Sequence, residues 1–332
     1  MEKDQIIKLP INETPMIRCY RIHAYVMNIL DVSHMSNWEK YVISHYLCLH
    51  NGAKKIARDY LDFHLENNYT NIVDGFRDNS WFDIIQVHDF NIEDHKNSQN
   101  IKNLIISYLE DGYYCLQNVN EACFPHTYYY GGSVFNNISM VYGYDATKDV
   151  FMMLDYDSQD RFGTSRVSFD DYFAAISSVT VRNRLNFIKA NQNHCFNFDF
   201  NHSLKLLNCY LHSQNAYSDH NEYTNHIFGY ESVERTLYET QNNRMNIINI
   251  RAILEHKDIL LKYFRYVTNN SYIKNENFLK IYEEINEEMH IIFMKILKKM
   301  MFAGNNCNYL KESDLIRRLN EKEAELLRCY LG

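Results

Sequence analysis

The segment Asn137–Asp157, NISMVYGYDATKDVFMMLDYD, carries the reading on which the fold turns. Two apolar runs, Ile138 to Tyr142 and Val150 to Leu154, flank Gly143-Tyr144-Asp145-Ala146-Thr147-Lys148-Asp149, whose glycine and aspartates are turn formers. The runs read as antiparallel strands joined by that turn. Polar residues stand at their outer ends: Asn137 begins the first and Asp155 ends the second. Asp155 follows Met152-Met153-Leu154, so its carboxylate borders an apolar wall and requires a partner.

Upstream, Tyr113 to Val119 (YYCLQNV) is a further strand, rich in aromatic and branched side chains. A long loop, Asn120 to Asn136, links it to the hairpin and contains NEACFPHTYYYGG. Residues 97–111 read as a helix closed by Asp111-Gly112, and Ile84 to Val87 as a short strand. Residues 19–31, CYRIHAYVMNILD, place Ile22, Val26, Ile29 and Leu30 on one helical face. Pro15 lies just before, which sets Cys19 near that helix's N-terminus. Residues 37–50 and 53–67 read as two further helices.

From Ser168 onward strand signals give way to helices, beginning with SFDDYFAAI, a serine cap followed by acidic residues. Residues 201–215, 229–242, 246–268, 275–302 and 311–330 follow as helices. The expected architecture is α+β. Residues 1–170 form a mixed domain with an antiparallel sheet and residues 171–332 a helical region packed on it, with a soft boundary between 165 and 185.

Composition narrows the function classes. With 46% apolar residues in 332, the chain buries a substantial core, and only 3 Pro and 10 Gly favour long helices over an all-β build. A net charge of -8 offers no broad basic surface for a phosphate backbone, which argues against nucleic-acid binding. No apolar run approaches a membrane span and MEKDQIIKLP lacks a signal-peptide layout, so the expected location is the cytoplasm. Eight scattered Cys without a CxxC speak against a zinc ribbon or disulfide scaffold, and nothing calls for a metal or cofactor.

Among the thiols, Cys19 is the best nucleophile candidate, because the positive end of a helix dipole stabilises a thiolate. Asn137 cannot take up a proton near neutral pH, so it is no general base. His126, in the long loop, and His23, one turn after Cys19, are the nearby imidazoles in sequence. Tyr128-Tyr129-Tyr130-Gly131-Gly132 suits a mobile lid, with Tyr129 and Tyr130 as substrate-side contacts. Glu255-His256-Lys257 reads either as a buried polar anchor or as a solvated helix face.

Several separated segments agree with one family. They are IRCYRIHAYVMNIL around Cys19, YLEDGYYCLQNVNEACFP, NISMVYGYDATKDVFMMLDYD, SFDDYFAAI, and FGYESVERTLYE followed by NIINIRAILEHKDILLKYFRYV. Over roughly residues 10–270 the chain resembles bacterial natural-product proteins similar to the N-terminal region of butirosin biosynthesis protein H. That family is a papain-like cysteine fold with an added helical region. The resemblance implies acyl transfer from a carrier-protein thioester, through a Cys thioester, onto an amine. Cys19 matches the nucleophile and Asp155 the acid that orients a catalytic His. The His itself belongs six residues before the Gly of the G-Y-D turn, where this chain has Asn137. The oxyanion-hole Gln belongs six residues before the nucleophile, where it has Glu13 with Asn12 beside it. Asn12, or a backbone N–H at the helix start, then has to donate instead.

Three readings follow: a cysteine acyltransferase working with an acyl or peptidyl carrier protein and an amine; an inactive member that binds a carrier protein or pathway enzyme; and a leader-peptide cysteine peptidase. Loss of the His weighs most against the third, since peptide cleavage needs an acid for the leaving amine. Two basic groups suit a carrier surface or are plain solvated faces: Lys54, Lys55 and Arg58, and Lys295, Lys298 and Lys299.

Overall fold

The computed structural model describes all residues except 1–5, 36, 53–60, 66–84, 93–96, 160, 182, 218–225, 243–245, 274–275 and 304–307. In chain order its first elements are β1 (Ile6–Lys8), α1 (Arg21–Val32), α2 (Trp38–His45), β2 (Leu49–Asn51), β3 (Leu61–Phe63), β4 (Ile85–Asn91) and α3 (Ser98–Glu110). Then come β5 (Tyr114–Asn120), β6 (Asn136–Asp145), β7 (Val150–Tyr156), β8 (Phe162–Ser168), α4 (Phe169–Ser177) and β9 (Arg184–Ala190). The last are α5 (Phe200–Leu211), β10 (Ile227–Phe228), α6 (Gly229–Asn242), α7 (Ile247–Asn269), α8 (Glu276–Ala303) and α9 (Leu310–Leu331). The fold class is α+β with antiparallel sheets and a helical C-terminal region.

The chain forms two compact units that interleave in sequence: Met1–Ser36 with Asn67–Cys195, and Asn37–Glu66 with Phe196–Gly332. The first holds a seven-stranded sheet of order β4-β9-β5-β6-β7-β8, with β1 on β6. All its pairings are antiparallel. The ten-residue β6 is shared along its length: Asn136 to Val141 pair with β5, and Gly143 to Asp145 with β1. One face of the sheet, with Cys115, Val119, Val141, Phe151, Met153, Val167, Leu185 and Phe187, packs in one core with Ile101, Ile105 and Leu109 of α3 and Tyr172 and Ile176 of α4. Ser168 caps α4 as its sequence predicts, accepting from the Asp171 N–H at 3.1 Å, a cap worth about 1 kcal/mol.

The hairpin forms, but its turn is shorter than expected. The strand runs through Gly143-Tyr144-Asp145, and the reversal is confined to the four residues that follow. Gly143 is required by β1, since a Cβ there would lie 2.6 Å from the Ile7 carbonyl oxygen. Asp145 fixes the reversal by accepting from the Thr147 N–H at 3.1 Å and its hydroxyl at 2.6 Å.

Three other expectations are corrected. Strands do not end at Ser168: β9 enters the sheet between β4 and β5, so the first unit extends to Cys195 rather than 170. Its sequence hides this, because a strand covered on both faces loses the apolar–polar alternation. The helix expected over 37–50 stops at His45 and becomes β2, which pairs with β3 and β10. Within the helix expected over 53–67, residues 61–63 are strand, and Lys54, Lys55 and Arg58 lie outside the described residues. Leu49, Leu61 and Phe63 are wholly buried, and that burial in a small sheet outweighs helical propensity.

The second unit is mainly helical, with the three-stranded sheet β10-β2-β3. Gly229 starts α6 at φ +55°, where a Cβ would run into the Tyr210 carbonyl oxygen. Glu255, His256 and Lys257 are buried, which settles the choice left open for this triplet. The Lys257 ammonium lies 2.9 Å from Glu323 Oε2, both side chains inaccessible to solvent. No helix among the described residues is long and apolar enough to cross a membrane.

Candidate functional site

Three candidate residues, Asn137, His126 and Asp155, lie where β6 begins and β7 ends. Asp155 is 2% exposed, and its Oδ2 lies 3.0 Å from His126 Nε2. Its other oxygen accepts from the Ser165 hydroxyl at 3.3 Å. The partner that the buried carboxylate required is therefore His126, 29 residues upstream in the long loop. With Nε2–H donated to Asp155, Nδ1 carries the lone pair and is the basic atom of the ring.

His126 is held in place from both backbone and ring. Its carbonyl accepts from the Ser158 N–H at 2.8 Å, and its ring stacks on buried Phe124, with centroids 5.6 Å apart. The surrounding loop is closed by its own bonds: Asn120 Oδ1 accepts from the N–H groups of Ala122 (3.1 Å) and Phe135 (3.0 Å). Thr127 Oγ1 donates to the Glu121 carbonyl at 2.7 Å. Tyr129 stacks on Phe135 at 3.7 Å, while Tyr128 and Tyr130 project outward, 76% and 59% exposed. The loop is thus a compact platform, with Tyr130 the accessible ring of the pair Tyr129–Tyr130.

Asn137 braces the same end of the sheet. Its Oδ1 accepts from the Ile138 N–H at 3.0 Å, and its side chain also bonds to Glu121. Glu121 is buried and forms an ion pair with Arg21, the first residue of α1, at 2.5 Å. Burial lifts the Glu121 carboxyl above its ordinary range, with Asp155 adding to the rise and Arg21 opposing it. Arg21 reaches further, donating to the Ile138 carbonyl at 3.2 Å and lying 5.1 Å from the Tyr156 ring centroid. The Tyr25 hydroxyl meets the same carbonyl at 3.1 Å, and burial keeps its pKa well above the usual tyrosine value.

Cys19 is buried and stands two residues before α1. The chain on both sides of it is fastened to this corner: the Tyr156 hydroxyl donates to the Arg18 carbonyl, and Arg21 binds Ile138 and Glu121. Tyr156 and Ile138 are the chain neighbours of Asp155 and Asn137. Burial raises the thiol pKa values of Cys48, Cys115 and Cys209, which makes them poor nucleophiles. His23 is fully buried, its ring edge-on to Tyr20 with centroids 6.2 Å apart.

Asn12 is committed to the local turn. Its amide donates to Asp31 at 2.7 Å, and its Oδ1 accepts from the Thr14 N–H at 2.8 Å and hydroxyl at 3.0 Å. Among the described residues no group of three or more His, Cys, Asp or Glu is arranged to hold a metal ion.

Sequence reasoning passed over Arg21, Glu121 and Ser165. The first two lie inside IRCYRIHAYVMNIL and NEACFP, segments singled out on other grounds. An ion pair across 100 residues has no local signature, so only its residue types were visible. No family model matches the chain, and no curated protein matches it.

Proposed function

We propose that the sheet-bearing unit is a papain-like cysteine acyltransferase of a bacterial natural-product pathway, acting in the cytoplasm on a carrier-protein thioester and an amine. The observation that carries this reading is the His126–Asp155 pair at 3.0 Å. It supplies an oriented imidazole in a chain whose expected catalytic His position is Asn137. Cys19 is the nucleophile, set before α1 where the helix dipole favours a thiolate.

In the first half-reaction the Cys19 thiol gives its proton to His126 Nδ1, and its sulfur attacks the thioester carbonyl. The carbon–sulfur bond to the donor breaks, the carrier thiol leaves with the proton, and Cys19 holds the acyl group. In the second, the amine attacks that carbonyl, the new C–N bond replaces the bond to Cys19, and His126 passes the amine proton to the departing sulfur. A thiolate leaves more readily than an amine, so the sequence demands less proton transfer than peptide cleavage.

Asn137 favours a second reading, an inactive member that binds a carrier protein, because its side chain serves the backbone and Glu121. Intact-protein mass spectrometry after incubation with acyl thioesters separates the two. Wild type is expected to gain one acyl mass and Cys19→Ala none. An unlabelled wild type that still binds the carrier protein supports the second reading; an adduct that persists in Cys19→Ala refutes the role of Cys19.

A further inference from the structure

Strands β1, β6, β7 and β8 carry a cavity of about 370 Å³, lined by Lys8, Tyr142, Met152, Thr164, Ser165 and Arg166. Strand register explains why two basic residues border it. Lys8 pairs with Gly143, Gly143 with Met152, and Met152 with Arg166, so the four stand in one row across the sheet and share a face. Neighbouring strands lie about 4.8 Å apart, which sets the Lys8 and Arg166 backbones three spacings, roughly 14 Å, from each other. Gly143 leaves the middle of the row without a side chain, and a Cβ there would lie 3.2 Å from Met152 Sδ. The row is thus a trough with a long basic side chain at either end.

A β-bulge adds a phenol to it. The pairing of β6 with β7 slips between Val141 and Gly143, which leaves Tyr142 as the extra residue. Bulges re-aim side chains, and here Val141 packs in the core with α3 and α4 while Tyr142, also buried, lines the cavity. Burial raises the Tyr142 pKa above its ordinary value, with Glu13 adding to the rise and Arg166 and a hydrogen bond with Thr164 opposing it. The phenol therefore keeps its proton at neutral pH and has an O–H to donate. Lys8, Thr164 and Arg166 are exposed. Among the described residues neither basic group is held in an ion pair, and no acid lines the cavity. Glu13, whose charge reaches Tyr142, is one acid against two cations.

We propose that this cavity is an anion-binding site for the carboxylate or phosphate end of a small molecule. Arg166 offers a planar fork of N–H donors, Lys8 a point charge, and Tyr142 and Thr164 hydroxyls, a donor set that suits an oxyanion with several oxygens. A cationic ligand would be repelled by both basic groups, and a neutral one would leave them uncompensated. The volume lies at the lower end of the range of about 300–1,000 Å³ for small-molecule sites. The site rests on the sheet alone and is independent of the acyl-transfer reading.

Titration of the isotope-labelled full chain with inorganic phosphate, and separately with acetate, at constant ionic strength tests it by amide chemical shifts. Saturable shifts are expected at Lys8, Tyr142 and residues 164–166. Tighter binding of phosphate marks a phosphorylated ligand, and tighter binding of acetate a carboxylic acid. Arg166→Gln removes charge-assisted hydrogen bonds and should weaken binding about tenfold or more. Arg166→Lys keeps the charge but loses the fork, so its affinity should fall between the two. Lys8→Gln should also weaken binding, and Lys8→Gln with Arg166→Gln should abolish it. Both side chains are exposed, so circular dichroism of each variant should match wild type. Absence of saturable shifts with either anion overturns the proposal, as do shifts centred elsewhere in the chain or an affinity that survives the double substitution.

Discussion

Lys257→Ala is expected to destabilise the helical unit by roughly 3–5 kcal/mol, a large fraction of the stability of an ordinary domain. The partner of Lys257 is Glu323, whose Oε2 accepts from Lys257 at 2.9 Å and from the Tyr210 hydroxyl at 3.0 Å. The other oxygen accepts from Tyr282 at 2.5 Å. Removing the ammonium leaves a carboxylate in an apolar interior with only two neutral donors. Replacing both ions, Lys257→Met with Glu323→Leu, should recover part of the loss. Recovery stays incomplete because the Tyr210 and Tyr282 hydroxyls then lose their acceptor. Hydrogen exchange of the α7 amides reads the effect, and wild-type protection in Lys257→Ala would contradict it.

The same cluster makes the unit acid-sensitive. Burial lowers the His256 pKa to about 4, with Lys257 contributing and Glu323 opposing. His256 Nε2 lies 3.1 Å from the Leu47 carbonyl oxygen, and as the N–H tautomer it donates there. Because the folded pKa lies below the unfolded one near 6.5, the unfolded chain binds the proton first as pH falls. Stability is therefore full above about pH 6.5 and declines towards pH 4, with roughly 2 kcal/mol lost between pH 7 and pH 5 from this group alone. Burial works to raise the Glu323 carboxyl, but Lys257, His256 and the Tyr282 hydrogen bond hold it below its ordinary value. Its contribution is present above the ordinary carboxylate pKa and is lost as pH drops through the lowered folded value. Denaturant titrations at pH 7, 6 and 5 check the decline; equal stability at all three would show that His256 is not buried neutral.

The second large effect concerns the proposed chemistry. His126→Ala should slow acyl transfer by roughly 10²–10⁴-fold, the range for loss of a positioned general base. Asn137→Ala should change the rate far less, because Asn137 braces the corner and takes no proton. Asn137→His in the His126→Ala background puts an imidazole at the expected strand position, and partial recovery of rate would support the assignment. Single-turnover loss of the acyl group from Cys19 to an amine reports the step directly. Wild-type turnover in His126→Ala would remove the dyad from the mechanism.

Local periodicity was enough for much of the fold. The apolar runs around residues 138–154 specified the hairpin, and the Ser168 cap with its acidic first turn specified α4. The long helices α7, α8 and α9 followed from their three- and four-residue repeats. Short or doubly covered strands did not. β2 and β3 have three residues each, too few to show a period, and β9 is buried on both faces, which blurs its alternation. Gly143 looked like a turn glycine because nothing local announces that β1 will pass against it.

For the candidate site, the chain by itself determined which residue types are available. It showed a thiol before a helix, an Asp at the end of an apolar strand, and an Asn where the resembled family has its His. Those are properties of positions within a few residues of one another. Only the tertiary structure decided that Asp155 takes His126 as its partner, because the loop from Asn120 to Asn136 must fold on itself to bring that ring back to β7. Likewise it alone joined Arg21 to Glu121 and Lys257 to Glu323. A buried charge announces that it needs a partner; which partner it finds depends on contacts between residues far apart in the chain, and those exist only after folding.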